Sequence, residues 1–307
     1  MMTMVDRRLF CAGLISVAAA GGCSAQSPSA DSERFAPVVP IQTTDYAAAR
    51  AGFRTRLLRH GPSPQAQVMP ELPKGAARMA FQSGDLSLIA WSAKPETVLA
   101  RSPVVIFLHG GFAFGADDFE MATPYRDAGF IIFTPILRGE DGQAGSFSMF
   151  YDEVDDVIAL VEHVRKLPYV DPDRIYLAGH SIGGTTAMLA AMASSHFRAV
   201  ASLSGSADQI LWIKAGGYSP IAPFDLNDPQ EFIMRSPLSY ATSFKAPARL
   251  YHGSEEAYFR PGTRKLADVA KAAGLDVVVQ EFPGDHFGAV PAEISASIAF
   301  FRGIRVG

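Results

Sequence analysis

Beyond Ala76, apolar runs rich in β-branched residues alternate with stretches of helical periodicity, and this alternation limits the architectures open to the 307-residue chain. The runs are "ARMAFQS", "LSLIAWSA", "PVVIFLHGG", "GFIIFTP", "RIYLAGHS", "FRAVASLSG", "PARLYHG" and "DVVVQEF". Between the later runs, helical spacing is found at 117–128, 150–167, from Ile182 onward, at 261–273 and at 290–301. A continuous apolar strand is one buried on both faces, and parallel strands need crossover helices to join them. The pattern therefore predicts an α/β fold with a mostly parallel sheet flanked by helices. In such a sheet substrates bind beyond the carboxyl ends of the strands.

The chain before Ala76 reads differently. Residues 1–23 combine Arg7 and Arg8 with the apolar run "LFCAGLISVAAA" and the terminal "AGGC", the layout of an export signal and not of a fold element. "AGGC" resembles a bacterial lipobox, which makes Cys23 the expected lipidation site, and "RRLF" resembles a twin-arginine motif. The expected location is the periplasm or cell envelope, with the membrane reached through a lipid anchor alone. Residues 24–44, rich in Ser, Ala and Pro, read as a flexible tether. Residues 45–75 read as an accessory helix over 45–60, with Tyr46, Ala49, Phe53 and Leu57 on one face, followed by a loop. Residues 76–307 form the main domain.

Both cysteines lie within the signal, so no disulfide framework or cysteine-based metal site is expected in the folded body. A net charge of −4 without a long basic run argues against nucleic acid and leaves a small molecule or peptide as the expected partner. No metal or organic cofactor is expected. The helix at 150–167 opens with Asp152, Glu153, Asp155 and Asp156, where the helix dipole favours anions, so these acids are expected to be structural.

"GHSIGG" fits G-x-S-x-G through Gly179, Ser181 and Gly183, with a strand before it and a helix after it. That context is what makes the motif mechanical: the tight turn lifts the serine hydroxyl out of the sheet. A serine becomes a nucleophile only when a histidine takes its proton and a carboxylate orients that histidine. Of the seven histidines, His196, His252 and His286 follow Ser181. His286, in the loop "FPGDHFG" after the last strand, is the expected base. Asp208, Glu255, Glu256 and Asp285 are the acids near strand ends after Ser181. The oxyanion donors expected are the backbone N–H groups of Ile182 and of Gly111, the latter preferred over Phe112. His109 is expected to be structural.

With these residues placed, the stretch 103–301 resembles the α/β-hydrolase fold, and within it the catalytic domain of the prolyl oligopeptidase family and the dienelactone hydrolases. The resemblance rests on "FLHGG", "GFIIFTPILRGEDGQAG", "YVDPDRIYLAGHSIGG", "RSPLSYATSFKAPARLYHG" and "FPGDHF". It implies a serine hydrolase acting on an ester or amide through an acyl-enzyme. It also places the acid four residues after the histidine of "LYHG", at Glu256 where aspartate is usual, with Glu255 and Asp208 as alternatives. Large family peptidases carry a β-propeller, and none is expected here. The insertion at about 205–243, containing Trp212, Ile213, Tyr218, Phe224 and Phe232, is expected to form a lid, and Phe112, His180 and Trp212 are expected to contact substrate. An acyltransferase using the same triad, or a non-catalytic binding lipoprotein on a hydrolase fold, are the alternative readings.

Overall fold

Eight strands form one sheet in the order β1-β2-β4-β3-β5-β6-β7-β8 in a computed structural model that describes residues 35–65, 69–98 and 100–304. The strands are β1 (Ala76–Ser83), β2 (Leu86–Ala93), β3 (Ser102–Leu108), β4 (Ile131–Pro135), β5 (Val170–His180), β6 (Ala199–Leu203), β7 (Ala248–Gly253) and β8 (Val277–Phe282). β1 pairs antiparallel with β2, and β2 antiparallel with β4. From β4 onward every pairing is parallel. The helices are α1 (Tyr46–Gly52), α2 (Ala116–Asp127), α3 (Glu153–Val164), α4 (Ile182–Ala193), α5 (Pro229–Arg235), α6 (Arg260–Ala272) and α7 (Val290–Gly303).

The apolar runs are continuous because the sheet is covered on both sides. β3 sends Val104, Ile106 and Leu108 to one face, where they join Val154, Val157 and Leu160 of α3, Met188 of α4 and Leu266 of α6. Val105 and Phe107 point to the other face, among Phe119 and Tyr125 of α2 and Ile294 and Phe301 of α7. Each such side chain stabilises the fold by roughly 1.5–3 kcal/mol relative to exposure. Helices on both faces leave the carboxyl edge of the parallel strands as the place where β3, β5, β6, β7 and β8 all deliver loops.

The segment before the sheet departs from expectation. The helix predicted over 45–60 keeps its predicted start, with Asp45 accepting from the Ala47 and Ala48 N–H groups, but ends at Gly52. Its continuation would need the Arg56 N–H, which instead donates to Glu231 Oε1 at 2.6 Å, while Thr55 Oγ1 donates to Glu231 Oε2 at 2.7 Å. The last part of the predicted tether is likewise not free. Val38 and Val39 N–H donate to Asp208 Oδ2 at 2.6 and 2.9 Å, and Gln42 N–H to the Ser239 carbonyl at 2.7 Å. Residues 1–34, which carry the export reading and Cys23, lie outside the described residues.

The four acids at the start of α3 do more than match its dipole. Asp156 is buried, and takes Arg138 Nη2 and Ser83 Oγ, each at 2.6 Å. Asp155 takes Arg50 Nη2 at 2.7 Å. Glu153 accepts from both the N–H and the hydroxyl of Ser148 at 2.6 Å, and burial nevertheless pushes its carboxyl up to about 7. The predicted structural role holds, as ties between distant segments. The insertion folds as a π-helical turn (Leu211–Ala215), short 3₁₀ turns and α5, with Trp212, Ile213, Phe224 and Phe232 buried against the core. Arg235, fully buried, fastens it by donating to the Ser148 carbonyl and Thr55 Oγ1 at 2.8 Å and to Glu231.

Candidate active site

Ser181 stands between β5 and α4 with φ 56° and ψ −119°, a backbone conformation that costs a non-glycine residue of order 1–3 kcal/mol. Two backbone bonds maintain it: its N–H donates to the Leu203 carbonyl at 2.8 Å, and its carbonyl accepts from the Thr185 N–H at 3.1 Å. The glycines of the motif are required by contact. A Cβ on Gly183 would lie 2.3 Å from the Leu108 carbonyl oxygen, and one on Gly179 would lie 2.4 Å from that of Gly183. The helix can therefore approach the strand only if both positions lack side chains.

His286 occupies the loop between β8 and α7. Its Nδ1–H donates to Glu256 Oε1 at 2.5 Å. Glu256 Oε2 accepts from Ser204 Oγ–H and from the Gly253 N–H, both at 2.6 Å. Burial works against the Glu256 carboxylate, but the bonds from His286, Ser204 and Gly253 outweigh it and hold the carboxyl below its usual range. Phe259, just before α6, stacks on the imidazole with centroids 5.5 Å apart and an interplanar angle of 14°. No hydrogen bond joins Ser181 Oγ to His286 among the described residues. His180, the residue before Ser181, has its ring centroid 4.7 Å from that of His286, which sets the histidine loop beside the turn that carries Ser181.

The other acids near strand ends have different work. Both oxygens of Asp208 are used, one by Val38 and Val39 and the other by the Leu211 N–H at 3.1 Å. Asp285 Oδ1 closes its own loop by accepting from the Phe287 and Gly288 N–H groups at 3.1 and 2.7 Å. Glu255, the residue before Glu256, is exposed. Among the other histidines, His196 pairs with Glu162 at 2.5 Å, and His252 is buried in β7. His109 is paired with Glu140 at 2.8 Å; burial disfavours its charge, yet Glu140 raises it to about 9.

The loop after β3 is held at several points. Phe112 N–H donates to Gln65 Oε1 at 3.0 Å, and Phe114 N–H to Asp141 Oδ2 at 2.7 Å. With Phe112 engaged, the Gly111 N–H has no partner among the described residues, and Gly111 adopts φ 70°. The N–H of Ile182 opens α4, where the first amides have no intrahelical acceptor. A cavity of about 10 Å³, room for one water molecule, lies between this loop and the start of α4, lined by Phe112, Phe147, Phe150, Ile182 and Thr186.

Two of the residues expected to contact substrate have partners within the fold. His180 is buried, and its Nε2–H donates to the His286 carbonyl at 3.0 Å, so it braces the histidine loop. Burial, reinforced by His286, lowers His180 to about 3 and keeps it neutral. Trp212 stacks on Tyr218 at 4.0 Å and 9° and packs edge-on to Phe150, which makes it an anchor of the insertion. Phe112, also expected to contact substrate, lines the small cavity. Ser204 and Gln65 were not singled out from the sequence; a lone serine or glutamine in a loop gives no periodic signal. Among the described residues, no group of three or more His, Cys, Asp and Glu side chains is placed to hold a metal ion.

The family model for the prolyl oligopeptidase family matches residues 117–294, more than half of the chain and inclusive of Ser181, Glu256 and His286. The chain belongs to the prolyl oligopeptidase family. That family is one of serine hydrolases, as the sequence resemblance implied. Among curated proteins of Bacillus subtilis, the uncharacterized peptidase YtmA is 26% identical over 139 residues, covering 43% of this chain and 54% of that protein. YitV, named as an esterase, is 31% identical over 127 residues, covering 38% and 50%. The chain thus spans about half the length of these curated relatives. Among solved structures, a Mycobacterium tuberculosis puromycin-hydrolyzing peptidase superposes with a TM-score of 0.67 at 21% identity, over 76% of this chain and 41% of that one. Est1E from Butyrivibrio proteoclasticus does so at 0.58 and 20%, over 73% and 97%. These structural likenesses confirm the α/β-hydrolase fold.

Proposed function

We propose that this protein hydrolyses a carboxylic ester or an amide through an acyl-enzyme formed on Ser181, with His286 as general base and Glu256 as the orienting acid. The observation that carries the reading is the bond from His286 Nδ1–H to Glu256 Oε1 at 2.5 Å, made at the strand edge that also carries Ser181. A hydrogen on Nδ1 leaves Nε2 as the lone-pair nitrogen facing substrate. In the first step Ser181 Oγ bonds to the substrate carbonyl carbon as its proton passes to His286 Nε2. The carbonyl oxygen becomes an oxyanion, received by the Gly111 and Ile182 N–H groups. Collapse breaks the bond to the alcohol or amine, which leaves with the proton from Nε2. Water then repeats the sequence on the acyl-enzyme and releases the acid. Glu256 remains ionised throughout and stabilises the imidazolium.

The relatives named as peptidases and as an esterase support both leaving groups. We further propose that the export signal and Cys23 place this hydrolase in the cell envelope on a lipid anchor. A panel of p-nitrophenyl esters of increasing acyl length together with aminoacyl arylamides tests the substrate reading. Turnover of short-chain esters or arylamides supports it; inertness of all substrates, with no reaction toward a fluorophosphonate, contradicts it.

A further inference from the structure

A second buried carboxyl lies behind the proposed triad. Glu293, in the first turn of α7, is fully buried, and its Oε1 is 3.5 Å from Ser204 Oγ. Its Oε2 has no hydrogen-bond partner among the described residues. Ser204 is held between the two acids by an unusual backbone. It adopts φ 53° just after β6, with its N–H donating to the Tyr251 carbonyl at 2.8 Å. That left-handed conformation is costly for a serine, and it turns the hydroxyl toward Glu256 and Glu293 together.

The bridge has only one proton to give. A serine hydroxyl has a single hydrogen and two lone pairs. At 2.6 Å that hydrogen is committed to Glu256 Oε2, the acid that carries the negative charge opposite His286. Ser204 Oγ can then meet Glu293 only as an acceptor, which requires the proton to reside on Glu293. Two ionised carboxyls sharing one hydroxyl would leave one of them buried, charged and unsatisfied, a costly arrangement.

We infer that Glu293 is a positioning residue that acts as a buried neutral acid, donating to Ser204 Oγ so that Ser204 donates to Glu256 and Glu256 faces His286. This inference rests on the proposed Ser181–His286–Glu256 reading. The relay runs Glu293 O–H to Ser204 Oγ, Ser204 O–H to Glu256 Oε2, and His286 Nδ1–H to Glu256 Oε1. No proton is consumed along it; it fixes the carboxylate that fixes the imidazole.

The surroundings agree. Burial, followed by the Glu256 charge, pushes Glu293 up to about 8. The other titratable groups close to it are Tyr251 on β7 and Tyr125 on α2, both raised by burial and neutral at physiological pH. Tyr125 is engaged by Ser297 of α7 at 2.7 Å. No cation among these groups favours an ionised Glu293. Raising the pH past about 8 therefore ionises it and sets it against Glu256 for the one Ser204 proton.

The test is the pH dependence of the second-order rate at which a fluorophosphonate labels Ser181, measured from pH 6 to 9.5 on the wild type, Glu293→Gln and Glu293→Ala. Wild-type labelling should fall several-fold on the alkaline side, as pH passes about 8. Glu293→Gln, which keeps a neutral donor of the same shape, should label within about threefold of wild type at pH 7 and lose the alkaline fall. Glu293→Ala should label at least tenfold more slowly at all pH values. A wild-type profile flat from pH 7 to 9.5 overturns the inference without any variant, as does a Glu293→Gln profile that superimposes on a falling wild-type one. Wild-type protein that never labels would instead refute the hydrolase reading itself.

Discussion

Replacing Glu256 with glutamine keeps the volume of the side chain and removes its charge. The carboxylate accepts three hydrogen bonds, two on Oε2 from the Gly253 N–H and Ser204 and one on Oε1 from His286. An amide has a single oxygen. The Gly253 N–H is backbone and cannot turn away, so the glutamine oxygen must face it, and the amide NH₂ then faces His286 Nδ1. That contact is satisfied only if Nδ1 is bare and the ring hydrogen sits on Nε2, which is the nitrogen that must accept the Ser181 proton. Restoring the useful tautomer leaves a charge-assisted bond unmade, worth about 1.5–3 kcal/mol. Losing the carboxylate opposite the imidazolium, at roughly 4 Å and an effective dielectric near 20, removes up to about 4 kcal/mol more from the transition state. Together these predict a loss in kcat/KM of about 10³-fold and no less than ~10²-fold. Glu255→Gln, one residue away and exposed, should cost less than about tenfold. The assay is kcat/KM toward a short-chain p-nitrophenyl ester, with circular dichroism to verify folding. A folded Glu256→Gln enzyme that loses less than tenfold, or a larger loss at Glu255, would refute the reasoning.

Gly183→Ala should lower the melting temperature by several degrees or prevent folding, since its Cβ would fall 2.3 Å from the Leu108 oxygen, and thermal unfolding measures it. The His109–Glu140 pair predicts an alkaline weakness: with His109 raised to about 9 in the fold, its contribution is complete below its unfolded value near 6.5 and is lost as pH rises through about 9. The melting temperature should fall by roughly 5–10 °C between pH 7 and pH 10, and Glu140→Gln should be less stable at pH 7 with a flatter profile. Cys23→Ser should shift the expressed protein from the membrane pellet to the soluble fraction, and equal retention in the pellet would contradict lipid anchoring.

The core of the architecture was legible because it is a local matter. A strand buried on both faces must be mostly apolar, as β3, β4 and β6 are, and the glycines of the elbow mark an approach that excludes any Cβ. Ser181 and His286 could be proposed from their places at strand ends, whereas Glu256 was singled out from four acids only by the family resemblance. What the sequence hid depends on partners far along the chain. α1 stops at Gly52 because Glu231, 175 residues past Arg56, takes the amide that would extend it. His180, expected from the sequence to contact substrate, has as its partner a carbonyl 106 residues away. Ser204 and Glu293 belong to no motif or period, and only the folded packing of β6 against α7 brings them together. The segment before Asp45 read as a tether because its Ser, Ala and Pro content offers little to bury, whereas Asp208 supplies the acceptor that fixes the backbone of Val38 and Val39.

The central claim is that Ser181 is the nucleophile. Incubation with a fluorophosphonate, followed by intact mass measurement and peptide mapping of wild type and Ser181→Ala, tests it most directly. The account predicts one adduct per chain, located at Ser181, and neither adduct nor turnover in the alanine variant, whose melting temperature should stay close to that of wild type. An adduct on any other residue, or substantial esterase activity in Ser181→Ala, would contradict it.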